Sequence, residues 1–323
     1  MPDLPPLFLS RDRMLRGLSS NEIAKRVKAG DLVRVRHGVY ADGSAWRAMK
    51  PWQQYRLRIQ AAAETFEKPT IFARHSAASI WDVPTIGDHP VEALTLKNDG
   101  GRSRAGVSRH YAARTGLIVV TREGLLVTDR IRTVLDLAAF TPFTHAVAPV
   151  DHVLRPDRAR GLPALTKAEL EAGIGSNYSA AAIRRIRAVL GFADPASGSA
   201  GESLSRALIH AAGFEPPVLQ QQFSDASGRL GYTDFYWKRS RVVGEFDGEE
   251  KYVKPEFLKG RTPSQAVVAE KNRENRIRAL GNNVVRWDWA DLMEPGKLER
   301  MLAAAGVPRR RPRSAVLDTQ TRL

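Results

Sequence analysis

Four acids have the types and spacing to do chemistry on a phosphate: Glu202, Asp234, Glu245 and Asp247. In VVGEFDGEEKY, residues 242–252, the run starts apolar and turns to charge. A strand alternates its faces with period two, so Val243, Glu245 and Asp247 point one way and Val242, Gly244 and Phe246 the other. In GYTDFYW the same alternation groups Tyr232, Asp234 and Tyr236, and a short hairpin around KRSR brings Asp234 across from Glu245. Clustered carboxylates repel one another unless a cation sits between them, and a divalent metal is the usual solution. One or two Mg²⁺ or Mn²⁺ ions held by Asp234, Glu245 and Asp247 would polarise a phosphodiester, activate a water and stabilise the leaving oxygen. Lys251, four residues past Asp247, can add an ammonium.

Each of these residues also has a plainer use. Glu202 stands three past Ser199 and can complete a capping box, Asp247 with Gly248 can be only a turn, and Lys251 and Lys271 can be solvated surface charges. Asp234 and Glu245 resist that treatment, because both interrupt apolar strands of a sheet that helices should cover.

The elements that must position these acids run helix, three strands, helix, strand. SAGESLSRALIHAAGF is the first helix, VLQQQF, GYTDFYW and RVVGEFD are strands, and NVVRWDW closes the sheet. The long helix TPSQAVVAEKNRENRIRALG starts with Thr262 as cap, Pro263 at its first position and Gln265 three past the cap, and Gly281 ends it. Residues 192–307 thus read as an α/β sandwich, set off by the Ala-, Ser-, Gly- and Pro-rich stretch FADPASGSAGES.

Residues 1–48 read as a small DNA-binding domain. Ser19 and Glu22 make a capping box, Ile23 and Val27 share a helix face, and Gly30 caps the end. LVRVRHGVY then alternates as a hairpin. A helix carrying Lys25, Arg26 and Lys28 before a hairpin carrying Arg34 and Arg36 is how a winged helix meets DNA, with helix in groove and wing on backbone. The alternative is a capping subdomain with a solvated basic face. Residues 49–191 read as a mostly helical α+β middle region, in which His75 and His110 receive no role. Residues 308–323 form a basic tail. The fold class is therefore α/β multidomain.

Two resemblances follow from these residues. GESLSRALIHAAGF, GYTDFYW, VVGEFDGEEKY and AEKNRENRIRALGNNVVRWDWADL resemble the C-terminal domain of an actinobacterial family related to the very-short-patch repair endonucleases, within the PD-(D/E)XK superfamily. That resemblance implies a restriction-endonuclease-like sandwich, with Asp234 and Glu245 binding metal, Glu202 as the acid of the first helix and Lys251 as the catalytic lysine. Asp247 stands where the superfamily pattern has lysine, so either it is a third ligand and Lys251 or Lys271, the latter also a candidate DNA contact, takes the lysine's place, or the site binds metal poorly and no longer cuts. The helix and wing ending in RVRHGVYA, with LLVTDRIRTVLDLA further on, are similar to AbiEi-type antitoxins of type IV toxin–antitoxin systems. This second resemblance implies promoter binding and a toxin encoded in the same operon.

Composition fits both. Fifty Lys and Arg against 35 Asp and Glu give a net charge of +15 over 323 residues, which favours a polyanionic partner. With no cysteine, disulfides and thiolate chemistry are excluded. No run has the length of a membrane span, and the expectation is a cytoplasmic protein without a small-molecule substrate. The expected function is a DNA-binding, Mg²⁺-dependent endonuclease; the alternative is an antitoxin-like repressor on an inactive nuclease scaffold.

Overall fold

The computed structural model describes residues 4–11, 17–96, 106–113, 115–248 and 262–310. Lys251 and residues 311–323 of the basic tail lie outside the described residues. The chain is mixed α/β with three sheets and divides into two compact units, Met1–Ala193 and Asp194–Leu323. No helix among the described residues is long and apolar enough to cross a membrane.

The first unit opens with β1 (Phe8–Leu9), α1 (Ser20–Ala29), β2 (Leu32–Arg36), β3 (Val39–Asp42) and α2 (Gly43–Ala48). The strands form an antiparallel sheet in the order β1-β3-β2. The ends of α1 follow from its sequence: Ser19 accepts from the Glu22 N–H, Glu22 reaches back to Ser19, and Gly30 adopts the left-handed conformation at φ 82°. Ile23 and Leu32 are buried together, with Phe8, Leu18, Val27 and Tyr40 packed around them. Gly43 is required by contact rather than by dihedral angle, because a Cβ there would stand 1.8 Å from the Gly30 carbonyl oxygen.

The same unit continues through α3 (Pro51–Thr65), β4 (Ile71–Phe72), α4 (Arg74–Ile80), β5 (Val91–Thr95), β6 (Val107–Tyr111), β7 (Val119–Arg122) and β8 (Leu125–Thr128). It closes with α5 (Arg130–Phe140), α6 (Phe143–Val153), α7 (Lys167–Ala172) and α8 (Ala180–Phe192). The middle of the chain carries more helix than strand, with a five-stranded sheet, β6-β5-β4-β8-β7, at its centre. Its strands are short: β4 has only two residues, and β5 is covered on both sides over Val91–Leu94. Tyr55, Ile59, Phe72, Ile80, Val91 and Val127 form the core over this sheet.

The second unit runs α9 (Ala200–Ala211), β9 (Val218–Asp225), β10 (Gly228–Trp237), β11 (Val242–Phe246), α10 (Pro263–Ala279), β12 (Asn283–Trp287), α11 (Trp289–Met293) and α12 (Lys297–Ala304). Its sheet order is β12-β11-β10-β9, antiparallel except for the β11–β12 pair. Every residue of β11 is buried, as expected for a strand covered on both faces. Towards α9, Trp287 donates to the Ser205 hydroxyl at 2.8 Å, and a Cβ on Gly201 would meet the Phe246 ring at 2.1 Å. Towards α10, Val243 packs with Ile277 and Val284. The acids are therefore carried between two helices, on the face of β11 that meets α10.

Candidate functional site

The β10–β11 ladder pairs Phe235 with Gly244, and the next step of that register sets Asp234 opposite Glu245. Asp234 stays partly exposed and Glu245 is 3% exposed. The two carboxylates thus share one face, but each already has a partner. An oxygen of Asp234 accepts the Phe246 N–H at 2.9 Å. Glu245 Oε1 accepts from Arg273 Nη2 at 2.8 Å, and the same guanidinium donates to both oxygens of Glu270, at 2.7 and 2.9 Å.

Asp247 is held still more completely. Arg286, the β12 residue in register with Glu245, forms a two-pronged pair with Asp247 at 2.6 and 2.7 Å. Its remaining nitrogen reaches Glu270 at 3.0 Å and Glu274 at 3.3 Å. Glu270 is the hinge of this network. Burial opposes its ionisation, yet the donors from Arg273 and Arg286 overcome that and bring its pKa down to about 2. Arg286 is raised above the ordinary arginine value, first by its hydrogen bonds to Asp247; Arg273 is also raised, its bonds to Glu270 and the charge of Glu245 outweighing burial.

Glu202 stands apart from this network in its bonding. Its carboxylate accepts the Gly198 N–H at 2.6 Å, the Ser199 hydroxyl at 3.0 Å and the Gln220 amide at 3.2 Å, while Ser199 caps α9 by accepting the Glu202 N–H. It is a terminus-fixing acid, close to the capping alternative.

Whether a divalent cation suits these residues is a question of donors. Among the described residues there is no group of three His, Cys, Asp or Glu side chains placed to hold a metal. Of the acids expected to ligate it, Asp234 accepts a backbone N–H, Glu245 pairs with Arg273 and Asp247 pairs with Arg286. In this arrangement Arg273 and Arg286 bring positive charge to Glu245 and Asp247.

The basic residues of the first unit present a different picture. Lys25, Arg26 and Lys28 on α1 and Arg34 on β2 are exposed, and none has a carboxylate partner within ion-pair distance among the described residues. Arg36 departs from the expectation: its Nε donates to Thr65 Oγ1 at 2.8 Å and its guanidinium lies 5.7 Å from the Phe66 ring centre, so it anchors the hairpin to the end of α3. Lys271 on α10 is exposed.

One cluster has no counterpart in the sequence reading. Glu92 on β5, 5% exposed, accepts from the ring nitrogens of His75 at 2.7 Å and His110 at 2.9 Å and from the His75 backbone N–H at 3.0 Å. Ala73, the residue before α4, has no side chain able to cap that helix. Glu92 takes over that work from the neighbouring strand, and Ser76 accepts the Glu92 N–H at 2.8 Å in return. An acid inside the apolar strand VEALT was the available signal.

No protein-family model matches this chain. Two uncharacterized proteins of Mycobacterium tuberculosis, Rv2248 of strain ATCC 25618 / H37Rv and MT2308 of strain CDC 1551 / Oshkosh, are each 26% identical to it over 290 residues, covering 88% of this chain and 96% of theirs. Among solved structures, the crystal structure of RV2827C protein from Mycobacterium tuberculosis is 14% identical, with a TM-score of 0.38 over 69% of this chain and 85% of that one.

Proposed function

We propose that this protein binds DNA through α1 and the β2–β3 hairpin, in the manner of a winged helix, and acts as a regulator of the antitoxin type. The observation that carries this reading is the set of exposed cations, Lys25, Arg26, Lys28 and Arg34, on one helix–hairpin element, none within ion-pair distance of an acid among the described residues. In the C-terminal unit, by contrast, Arg273 and Arg286 are spent on acids. A chain of charge +15 that leaves cations free on such an element is suited to phosphate. The C-terminal unit is then a nuclease-like sandwich whose acids serve stability: a retired site has a reason to keep Glu245 and Asp247 if two arginines depend on them.

A second reading, a Mg²⁺- or Mn²⁺-dependent endonuclease using Asp234, Glu245 and Asp247, is favoured by the opposition of Asp234 and Glu245 on one face. It requires both arginines to release their acids. One experiment separates the two. Binding of a labelled duplex is measured beside cleavage of supercoiled plasmid with Mg²⁺ or Mn²⁺, for wild type, Asp234→Ala and Glu245→Ala. Binding without cutting supports the regulator. Cutting that both substitutions abolish overturns it in favour of the nuclease.

A further inference from the structure

Tyr232 is the most exposed aromatic residue of its strand. It is 48% exposed, while Leu230, Phe235 and Trp237 of the same strand are buried. The local core of Leu230, Val243, Ile277 and Val284 is complete without it. Burial therefore does not account for a tyrosine here.

Its surroundings are chemically specific. The Arg229 guanidinium lies 4.8 Å from the centre of the Tyr232 ring. The β9–β10 ladder shifts register between Arg229 and Gly231, and Gly231 has φ 107°, a conformation that favours glycine. Across the ladder Tyr232 faces Gln222, which places an exposed amide side chain beside the ring. Neither Arg229 nor the Gln222 amide group has a hydrogen-bonding or acidic partner among the described residues. Arg273, Arg276, Arg278 and Arg286 of the same unit all have acidic partners.

An aromatic ring, a guanidinium that meets no acid and an unspent amide are the three groups that receive an unpaired base: the ring stacks on it, the amide reads its edge and the cation meets the adjoining phosphate. We propose that Tyr232, with Arg229 and Gln222, is a stacking site for an unpaired base of single-stranded DNA. Positive charge on Arg229 matches the phosphate that accompanies any such base. The site is also held in place, because Arg273 donates to the Tyr232 carbonyl at 3.2 Å while pairing with Glu245. This proposal rests on the reading of the protein as DNA-binding, and extends it from duplex contact by α1 to strand contact by the second unit.

The test uses the full chain and fluorescence anisotropy with a labelled oligothymidylate, the same strand carrying one abasic position at each site in turn, and a duplex of equal length. Tyr232→Ala should weaken binding of the single strand about tenfold or more and leave duplex binding and the salt dependence unchanged. Tyr232→Phe should restore it, since the ring and not the hydroxyl does the stacking. An abasic position should lower wild-type affinity and leave Tyr232→Ala unaffected. Equal single-strand affinity for wild type and Tyr232→Ala, or an equal loss on duplex, overturns the stacking site while the DNA-binding reading stands. Wild type that binds neither polymer overturns both.

Discussion

Arg273 donates to Glu245 at 2.8 Å from a helix to a strand end, and this ion pair sits where the sequence places a metal ligand. The arginine is 19% exposed at its side chain and the acid 4%, so neither partner is well solvated. Such a pair is costly to break and inexpensive to replace whole, because removing one member strands the other charge in a poor solvent. Arg273→Ala should therefore lower stability by about 3–5 kcal/mol, and the double variant Arg273→Met, Glu245→Leu should recover part of the loss, with Glu270 left to Arg286 alone. Urea unfolding at pH 7 measures both. A single-variant loss below about 1 kcal/mol would show that Glu245 is satisfied by other means.

The cations of α1 and the hairpin should divide by role. Lys25→Ala, Lys28→Ala and Arg34→Ala should each weaken duplex binding and reduce the slope of log affinity against log salt by about 0.9, the signature of one lost phosphate contact. Arg36→Ala should instead lower the unfolding midpoint, because Thr65 and the Phe66 ring each lose a partner. Anisotropy titrations between low and moderate salt, paired with unfolding curves, distinguish the two behaviours. An Arg36→Ala variant with unchanged stability and a reduced salt slope would return that residue to the DNA surface.

What the sequence made legible follows from the range of each interaction. Helix ends were readable because their signals are local: Ser19 with Glu22, Thr166 with Glu169 and Thr262 with Gln265 all form their boxes within three residues. The opposition of Asp234 and Glu245 was readable because a period of two and one hairpin suffice to place it. The partners of those acids were not. Arg273 follows Glu245 by 28 residues and Arg286 follows Asp247 by 39, so only the folded sheet and helix bring them together. The sequence supplied a reason for a cation, and the fold supplied arginine. Likewise His75 and His110 seemed incidental until β5 placed Glu92 between them.

Close packing between α9 and β11 gives a third prediction. Gly201 lies where a Cβ would stand 2.1 Å from two atoms of the Phe246 ring, and Phe246 also meets Trp289 edge-on at 5.3 Å. Phe246 is itself buried. Gly201→Ala should destabilise the second unit by about 1–3 kcal/mol despite the gain in helix propensity, through overpacking. Adding Phe246→Leu should relieve part of the strain. A stabilised Gly201→Ala variant in thermal unfolding would show that α9 can lift from the sheet without cost.

The Glu92 cluster predicts a dependence on acid. Although burial favours its neutral form, hydrogen bonds from His110 and His75 and the charge of His75 hold Glu92 well below the ordinary carboxylate range. Arg74 lies 3.9 Å away, Ser76 bonds to the Glu92 backbone, and His89 stacks on His75 with ring centres 3.5 Å apart. A carboxyl with a depressed folded pKa stabilises the fold above its unfolded value of about 4.5, and that contribution is lost as pH falls from there towards the folded value. Wild type should thus lose stability steeply between about pH 5 and pH 3, in part through this group. Glu92→Gln should cost about 1.5–3 kcal/mol at pH 7, where the ionised acceptor is missed, and should show a shallower decline in acid. Urea midpoints for both proteins across that range decide the matter: parallel curves would mean that Glu92 is not the group whose protonation loosens the first unit.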